Sequence, residues 1–263
     1  MRATLDGAEV EYDVRGEGPA VVFLHAFPLG QFMWDRQVAA LEASHRVVRF
    51  DARGFGDTPP GEGPLTMDRI ADDAAALMDH LGIERAVVAG CSMGGYAAFS
   101  FVRRHGPRLA GLVLQDTRAG ADTEEARANR SALASRVLEE GASAAAEAFV
   151  PKLVGETTKR DNPDLVSRLR ERILATSPGA IAQALSGLGA REDSTATLGH
   201  IRVPTLVVVG EEDVLTPPSE AEKMAAAIAG SRAVVIPAAG HLSNLENPSA
   251  YEDALRGFLE SLG

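Results

Sequence analysis

The stretch RAVVAGCSMGG, residues 85–95, decides the fold. Its first half is a run of small and β-branched apolar residues without polar alternation, the pattern of a parallel strand buried on both faces. Its second half sets a glycine two residues before Ser92 and another two residues after it. A helical apolar spacing (Ala97, Phe101, Val102) begins directly behind. So abrupt a change from strand to helix forces a strained backbone at the serine, and side chains at Gly90 and Gly94 would collide with neighbouring backbone. The turn exposes the Ser92 hydroxyl at the carboxyl edge of the sheet, against a helix N-terminus that favours negative charge. Ser92 is therefore the candidate nucleophile. Cys91 lacks this frame, because its two-residue neighbours are Ala89 and Met93, and free cysteines mostly behave as small buried hydrophobes.

Working outward, the same unalternating pattern recurs in AVVFL (20–24), RVVRF (46–50), GLVLQ (111–115), TLVVVG (205–210) and RAVVIP (232–237), each reading as a buried parallel strand. Ahead of them, two alternating segments at 2–5 and 9–14 flank Asp6-Gly7, a pair suited to the positive φ angles of a hairpin turn. Helical stripes fill the gaps. Trp34, Val38 and Leu41 form one. Met67, Ile70, Ala74, Leu77 and Leu81 form another, with Thr66 as N-cap and Gly82 as stop. Tyr251, Leu255, Phe258 and Leu262 form the last. Strands alternating with helices predict an α/β fold: a mostly parallel eight-stranded sheet flanked by helices, with right-handed crossovers. The alternation breaks at 118–198, which is alanine-rich and punctuated by Gly141, Pro151, Gly155, Pro163 and Pro178. Apolar spacings there (Leu133, Val137, Leu138; Phe149, Leu153; Leu165, Leu169, Ile173; Ile181, Leu185) predict four short helices. The chain thus divides into a core of 1–117 and 199–263 and a helical cap of 118–198.

With 263 residues, 45% hydrophobic and 24% charged, the chain suits one large domain and is not a disordered one. The net charge of −11 argues against a nucleic-acid partner. A lone cysteine cannot form an internal disulfide, which points to a reducing compartment. No apolar run approaches the roughly 20 residues of a membrane helix, and the acidic N-terminal segment does not read as a signal peptide. The expectation is a cytoplasmic protein with a small-molecule partner and no membrane partner; its oligomeric state is open. No cluster of His and Cys implies a metal, and the glycines of 51–57 lack the lysine-serine pair of a phosphate loop, so no cofactor is expected.

A serine hydroxyl needs a base. His241, in AAGHLS (238–243), follows the last strand and so falls at the same sheet edge as Ser92. His80 and His105 fall on helices, His45 precedes a strand, and His200 lies in a connection. His25 reads as a structural residue of the loop after 20–24. The imidazole in turn needs an orienting carboxylate. Asp213, in GEEDVLTPP after TLVVV, is the choice, with Asp116 after GLVLQ as its competitor. Two preplaced amides must receive an oxyanion. They are Met93, next to the nucleophile, and Phe27 in His25-Ala26-Phe27-Pro28, since Pro28 has no N–H. Arg53, in DARGFGDT (51–58), reads as internally paired within a structural turn.

Taken together, the HAFP loop, the DARGFGDT turn, the GCSMGG turn, GEEDVLTPP and AGHLSNLENP resemble the α/β-hydrolase superfamily, over nearly the whole chain. The order Ser92, Asp213, His241 is that superfamily's order. Within it the chain is similar to 3-oxoadipate enol-lactonases, carboxylesterases and cofactor-free haloperoxidases or perhydrolases. LHAFPLG and the histidine loop resemble the enol-lactonase-like branch most. Two positions depart from the pattern: Ala26, where His-Gly is usual, and Cys91, where the enol-lactonase-like turn often has leucine. The resemblance implies a serine hydrolase of carboxylic esters or lactones acting through an acyl-enzyme. The alternatives are perhydrolysis on the same three residues, or a noncatalytic ligand-binding protein on the same fold. Ser92 sets the chain apart from relatives with aspartate at this turn, the haloalkane dehalogenases and epoxide hydrolases. The cap should shape the pocket through residues such as Phe149, Leu153 and Leu185.

Overall fold

Asp6 and Gly7 take left-handed φ angles of 45° and 76°, closing β1 (Arg2–Leu5) on β2 (Ala8–Arg15) as an antiparallel hairpin. This computed structural model describes residues 1–263. β2 pairs antiparallel with β4 (Arg46–Phe50). From β4 onward every pairing is parallel, through β3 (Ala20–Leu24), β5 (Ala86–Cys91), β6 (Leu109–Gln115), β7 (Thr205–Gly210) and β8 (Arg232–Ile236). The eight strands lie in the order β1-β2-β4-β3-β5-β6-β7-β8. Strand order reverses where β3 meets β5, and Leu24 stands opposite Gly90. In open α/β sheets the crevice at such a reversal, beyond the carboxyl ends of the strands, is where ligands bind.

The helices outside the insertion are α1 (Asp35–Leu41), α2 (Met67–His80) and α3 (Met93–His105) before it, and α10 (Pro218–Ala227), α11 (Ser243–Glu246) and α12 (Pro248–Glu260) after it. α2 packs on α3, and α1 on α12. The Thr66 hydroxyl caps α2 by accepting from the Arg69 amide at 3.1 Å, and Gly82 follows its end with φ 65°. β8 departs from the sequence reading. Its run is apolar like the others, yet it forms the sheet edge, only Ile236 is buried, and Val235 is 50% exposed. β-branched composition marks a strand but does not distinguish an edge from a centre.

Between β6 and β7 the chain forms six helices where spacing predicted four: α4 (Glu124–Glu140), α5 (Ala142–Leu153), α6 (Glu156–Asp161), α7 (Pro163–Leu174), α8 (Pro178–Gly189) and α9 (Thr195–Leu198). α6 and α9 are too short to carry an apolar period. Leu138, grouped with Val137 by spacing, is 63% exposed. Val137, Leu169, Ile173 and Leu185 join Val22, Val88, Leu114 and Val207 in one continuous core, so these helices share the core of the sheet rather than building their own. No helix is long and apolar enough to cross a membrane.

Candidate active site

Ser92 sits at the junction of β5 and α3 with φ 53° and ψ −110°, a left-handed conformation that costs about 1–3 kcal/mol for a non-glycine residue. The two flanking glycines make the turn possible. A methyl on Gly90 would overlap the Gly94 carbonyl oxygen and lie 2.7 Å from the Gly95 nitrogen. A methyl on Gly94 would overlap the Leu24 carbonyl oxygen and lie 2.6 Å from its carbon. Gly90 thus lets the chain turn, while Gly94 lets α3 lie against β3.

His241 reaches Ser92 from beyond β8. Its Nε2 is 2.7 Å from Ser92 Oγ, and its Nδ1 is 2.8 Å from Asp213 Oδ2. Asp213 is fixed from behind: Oδ1 accepts from the Leu215 and Thr216 amides at 2.8 and 3.0 Å, and Oδ2 from the Thr216 hydroxyl at 2.7 Å. The histidine loop is bracketed by Glu246, which spacing gave no reason to single out. Glu246 Oε1 accepts from the Gly240 and Leu242 amides at 2.9 and 3.1 Å, and Oε2 from the Gly155 amide at 2.7 Å. The structure therefore joins the three residues that the sequence set far apart, in the order hydroxyl, imidazole, carboxylate.

A sequence profile described as the alpha/beta hydrolase fold matches residues 19–248. The chain belongs to the α/β-hydrolase family. Among solved structures it is similar to a thermophilic esterase from Thermogutta terrifontis, solved with malate bound. That similarity is 41% identity over 100% of this chain and 98% of that one, with TM-score 0.96. It is similar also to the enol-lactonase from Burkholderia xenovorans LB400, at 31% identity over 99% and 100% of the two chains, with TM-score 0.92. A non-heme haloperoxidase of Rhodococcus erythropolis is 29% identical over 97% of each chain.

In this α/β hydrolase the electrostatics of the three residues oppose one another. Burial alone pulls the His241 pKa down, but the Asp213 charge and hydrogen bond outweigh it, with Asp116 and Glu246 adding to the rise, so the value stands above that of a free histidine. Burial alone pushes Asp213 up; the His241 charge and the hydrogen bonds from His241 and Thr216 outweigh it and hold the carboxyl below the usual range. With Nδ1 donating to the carboxylate, Nε2 is left free to accept from the serine hydroxyl.

Asp116, the competing acid, is engaged elsewhere. Its Oδ1 accepts from the Gly210 amide at 2.8 Å. Its Oδ2 accepts from the Ser243 amide, the Ser243 hydroxyl and Gln115 Nε2 at 3.0, 2.7 and 3.0 Å. Burial, then the nearby Asp213 charge, push its pKa up to about 7. It ties β6 to β7 and the histidine loop, and it makes no bond to His241.

Phe27 and Met93 border the same cavity as Ser92 and His241, and neither amide has an acceptor within the protein. His25 holds the Phe27 loop: Nδ1 donates to the Ala26 carbonyl and Nε2 accepts from the Ala52 amide, both at 3.0 Å. Burial drives its pKa down, in keeping with a neutral ring. Arg53 forks onto Asp73 at 2.8 and 2.6 Å, as an internal pair. Cys91 is buried, and burial pushes its thiol pKa well up, opposite to what a thiolate nucleophile needs.

The cavity measures about 240 Å³. Phe149 and Leu153 border it as expected, but Leu185 does not: it is wholly buried in the core, and Leu188, one turn on, takes that place. Tyr96, Arg118 and Arg130 also border it. Nothing in their local sequence marked them, because neighbours so distant in the chain leave no periodic trace.

Proposed function

We propose that this chain is a serine hydrolase that cleaves a carboxylic ester or lactone through an acyl-enzyme. The observation that carries this reading is the continuous relay Ser92 Oγ–His241 Nε2 at 2.7 Å and His241 Nδ1–Asp213 Oδ2 at 2.8 Å, opening on a cavity bordered by Phe27 and Met93, whose amides have no acceptor within the protein. The esterase and enol-lactonase relatives support the choice of bond.

Ser92 Oγ attacks the carbonyl carbon while its proton passes to His241 Nε2. The tetrahedral oxyanion is received by the Phe27 and Met93 amides, each worth about 3–4 kcal/mol in the transition state. The C–O bond to the alcohol breaks as His241 returns the proton to the departing oxygen. In a lactone that oxygen remains tethered to the acyl group. Water then gives a proton to His241 and attacks the acyl carbon; the acid leaves and Ser92 regains its proton. Asp213 stays ionised throughout, holding Nδ1–H and stabilising the imidazolium. Helices of the 118–198 segment act as the cap, with Phe149, Leu153 and Leu188 against the substrate. Hydrogen peroxide can replace water in the second half, giving a peracid, and similarity to a haloperoxidase makes this the competing reaction to assay. We assign the reaction to the cytoplasm on the evidence of the single unpaired cysteine.

Ser92→Ala should abolish hydrolysis of a short p-nitrophenyl ester, and a fluorophosphonate should label the native protein at Ser92 but not the variant. Native protein that resists labelling and turns over no ester overturns the reading in favour of a noncatalytic ligand-binding protein, and a variant with undiminished turnover overturns Ser92 as the nucleophile. Peracid formation from acetate and peroxide would mark the perhydrolase instead.

A further inference from the structure

One wall of the reaction cavity carries more positive charge than its structure requires. Asp122, whose side chain is fully buried, is bonded by three guanidinium groups: Arg118 Nη2 at 2.7 Å, Arg130 Nε at 2.5 Å and Arg191 Nη1 at 2.6 Å. Burial by itself would raise its pKa, but Arg130 and Arg191 outweigh that and hold it at about 2, so this carboxylate is ionised and offsets one cation of the three. The other nearby acids are engaged. Glu220 bonds Lys223 at 2.6 Å, while Asp193, held ionised by the Ala121 and Thr195 amides at 3.0 and 2.8 Å, faces Arg191 and offsets at most one cation more, which still leaves a surplus. The surplus is local, since the whole chain carries −11.

The three arginines are not equivalent. Arg191 is buried, gives further hydrogen bonds to the Leu188 and Gly120 carbonyls, and lies over the Tyr96 ring at 4.2 Å. Both its terminal nitrogens are engaged in holding the wall together, and it does not border the cavity. Arg118 and Arg130 both border the cavity that contains Ser92 and His241. After their single bonds to Asp122, Arg118 Nη1 and both terminal nitrogens of Arg130 have no acceptor in the protein. These atoms are not among the buried unpartnered groups, whereas Arg118 Nε is. Guanidinium donors left open beside a reaction cavity match the planar, bidentate geometry of a carboxylate.

We infer that Arg118 and Arg130 form a carboxylate-binding subsite, so that the preferred ester or lactone carries an ionised carboxylate besides the bond that is cleaved. The inference deepens the ester-hydrolase reading and rests on it for turnover; binding of a dicarboxylate tests the subsite without it.

Two ester pairs test it in the native protein: monomethyl glutarate against methyl pentanoate, with the charge on the acyl side, and butanoyl glycolate against propyl butanoate, with the charge on the alcohol side. At least one charged member should have the higher kcat/KM, with the preference shrinking as salt is added. In Arg118→Gln and Arg130→Gln that preference should fall about tenfold or more, the scale of one charge-assisted hydrogen bond. Arg118→Lys and Arg130→Lys, which keep the charge against Asp122 and so protect the fold, should retain part of it. Calorimetry should show glutarate binding to Ser92→Ala and its loss when either arginine is also replaced by Gln. Neutral esters preferred in both pairs, or a preference indifferent to both arginines, overturns the subsite while leaving the hydrolase intact. Glutarate binding that needs the arginines, in a protein that turns over no ester, sinks the hydrolase reading and keeps the subsite. Inorganic phosphate competing as strongly as glutarate overturns the assignment to carboxylate.

Discussion

Asp213→Asn separates the orientation of the imidazole from its presence. In the native site Oδ1 accepts two backbone amides, and an asparagine oxygen can keep both. The amide NH₂ then falls where Oδ2 stood, facing His241 Nδ1 and the Thr216 hydroxyl. The hydroxyl can turn to accept. The imidazole can satisfy the amide only by carrying its proton on Nε2, which directs an N–H at Ser92 Oγ in place of a lone pair. The ring remains but cannot take the serine proton. Loss of this tautomer should lower kcat by about 10⁴, or roughly 5 kcal/mol of barrier. A second readout is independent of the first. The Asp213 charge is foremost among the influences that raise His241, so the acid limb of kcat/KM should move to lower pH in the variant. Asp116 cannot substitute, because Gly210, Ser243 and Gln115 occupy its oxygens. The assay is hydrolysis of p-nitrophenyl butanoate across pH, with circular dichroism to establish folding. A folded Asp213→Asn within about tenfold of native would refute the reasoning. So would an Asp116→Asn variant with the larger loss.

Three further outcomes follow from the same geometry. Gly94→Ala should lose about 1–3 kcal/mol of stability, because the new methyl meets the Leu24 carbonyl on a neighbouring strand and must push α3 off β3; urea midpoints check this, and an unchanged midpoint contradicts it. In the native protein the acid limb of kcat/KM should lie above the ordinary histidine value of 6.5, because the base acts only when neutral and its folded value is raised. The corresponding stability has a definite sign: the part due to His241 is complete below 6.5 and is lost as pH climbs through the raised value, as urea midpoints across that range would record.

The residues of the relay were legible because each announces itself locally. Ser92 is framed by glycines that only a tight turn requires, and Asp213 and His241 fall in loops directly after β-branched runs, which a parallel sheet must deliver to one edge. The hairpin was legible for a similar reason, since Asp6-Gly7 encodes its own φ angles. What stayed hidden depends on neighbours. β8 has the composition of a central strand, and only the ordering of the sheet leaves it at the edge. Leu185 and Leu188 lie on one helix, and spacing cannot say which meets the core and which the cavity. Arg118, Asp122, Arg130 and Arg191 span more than seventy positions and become a cluster only after the inserted helices pack.

That packing ties recognition to chemistry. The Ser92, Asp213 and His241 side chains stand at or beyond the ends of β5, β7 and β8, while Phe149, Leu153, Leu188 and Arg130 come from the inserted helices. The two groups would be independent if the insertion were a loosely hinged lid, but through Glu246 it is bonded to the loop that carries His241. One oxygen of Glu246 accepts from Gly155, between α5 and α6, and the other from Gly240 and Leu242, on either side of His241. Glu212, next to the orienting acid, accepts from both the amide and the hydroxyl of Thr157 at 2.9 and 2.5 Å. Gly240 leaves no room for a side chain against the Val154–Gly155 backbone. A shift of the α5–α6 turn therefore moves the loops that carry the imidazole and its carboxylate. The inserted segment can change the shape of the cavity wall through side chains such as Leu188, whose helix makes none of these bonds, but it cannot move at Gly155 without disturbing the loop that carries His241.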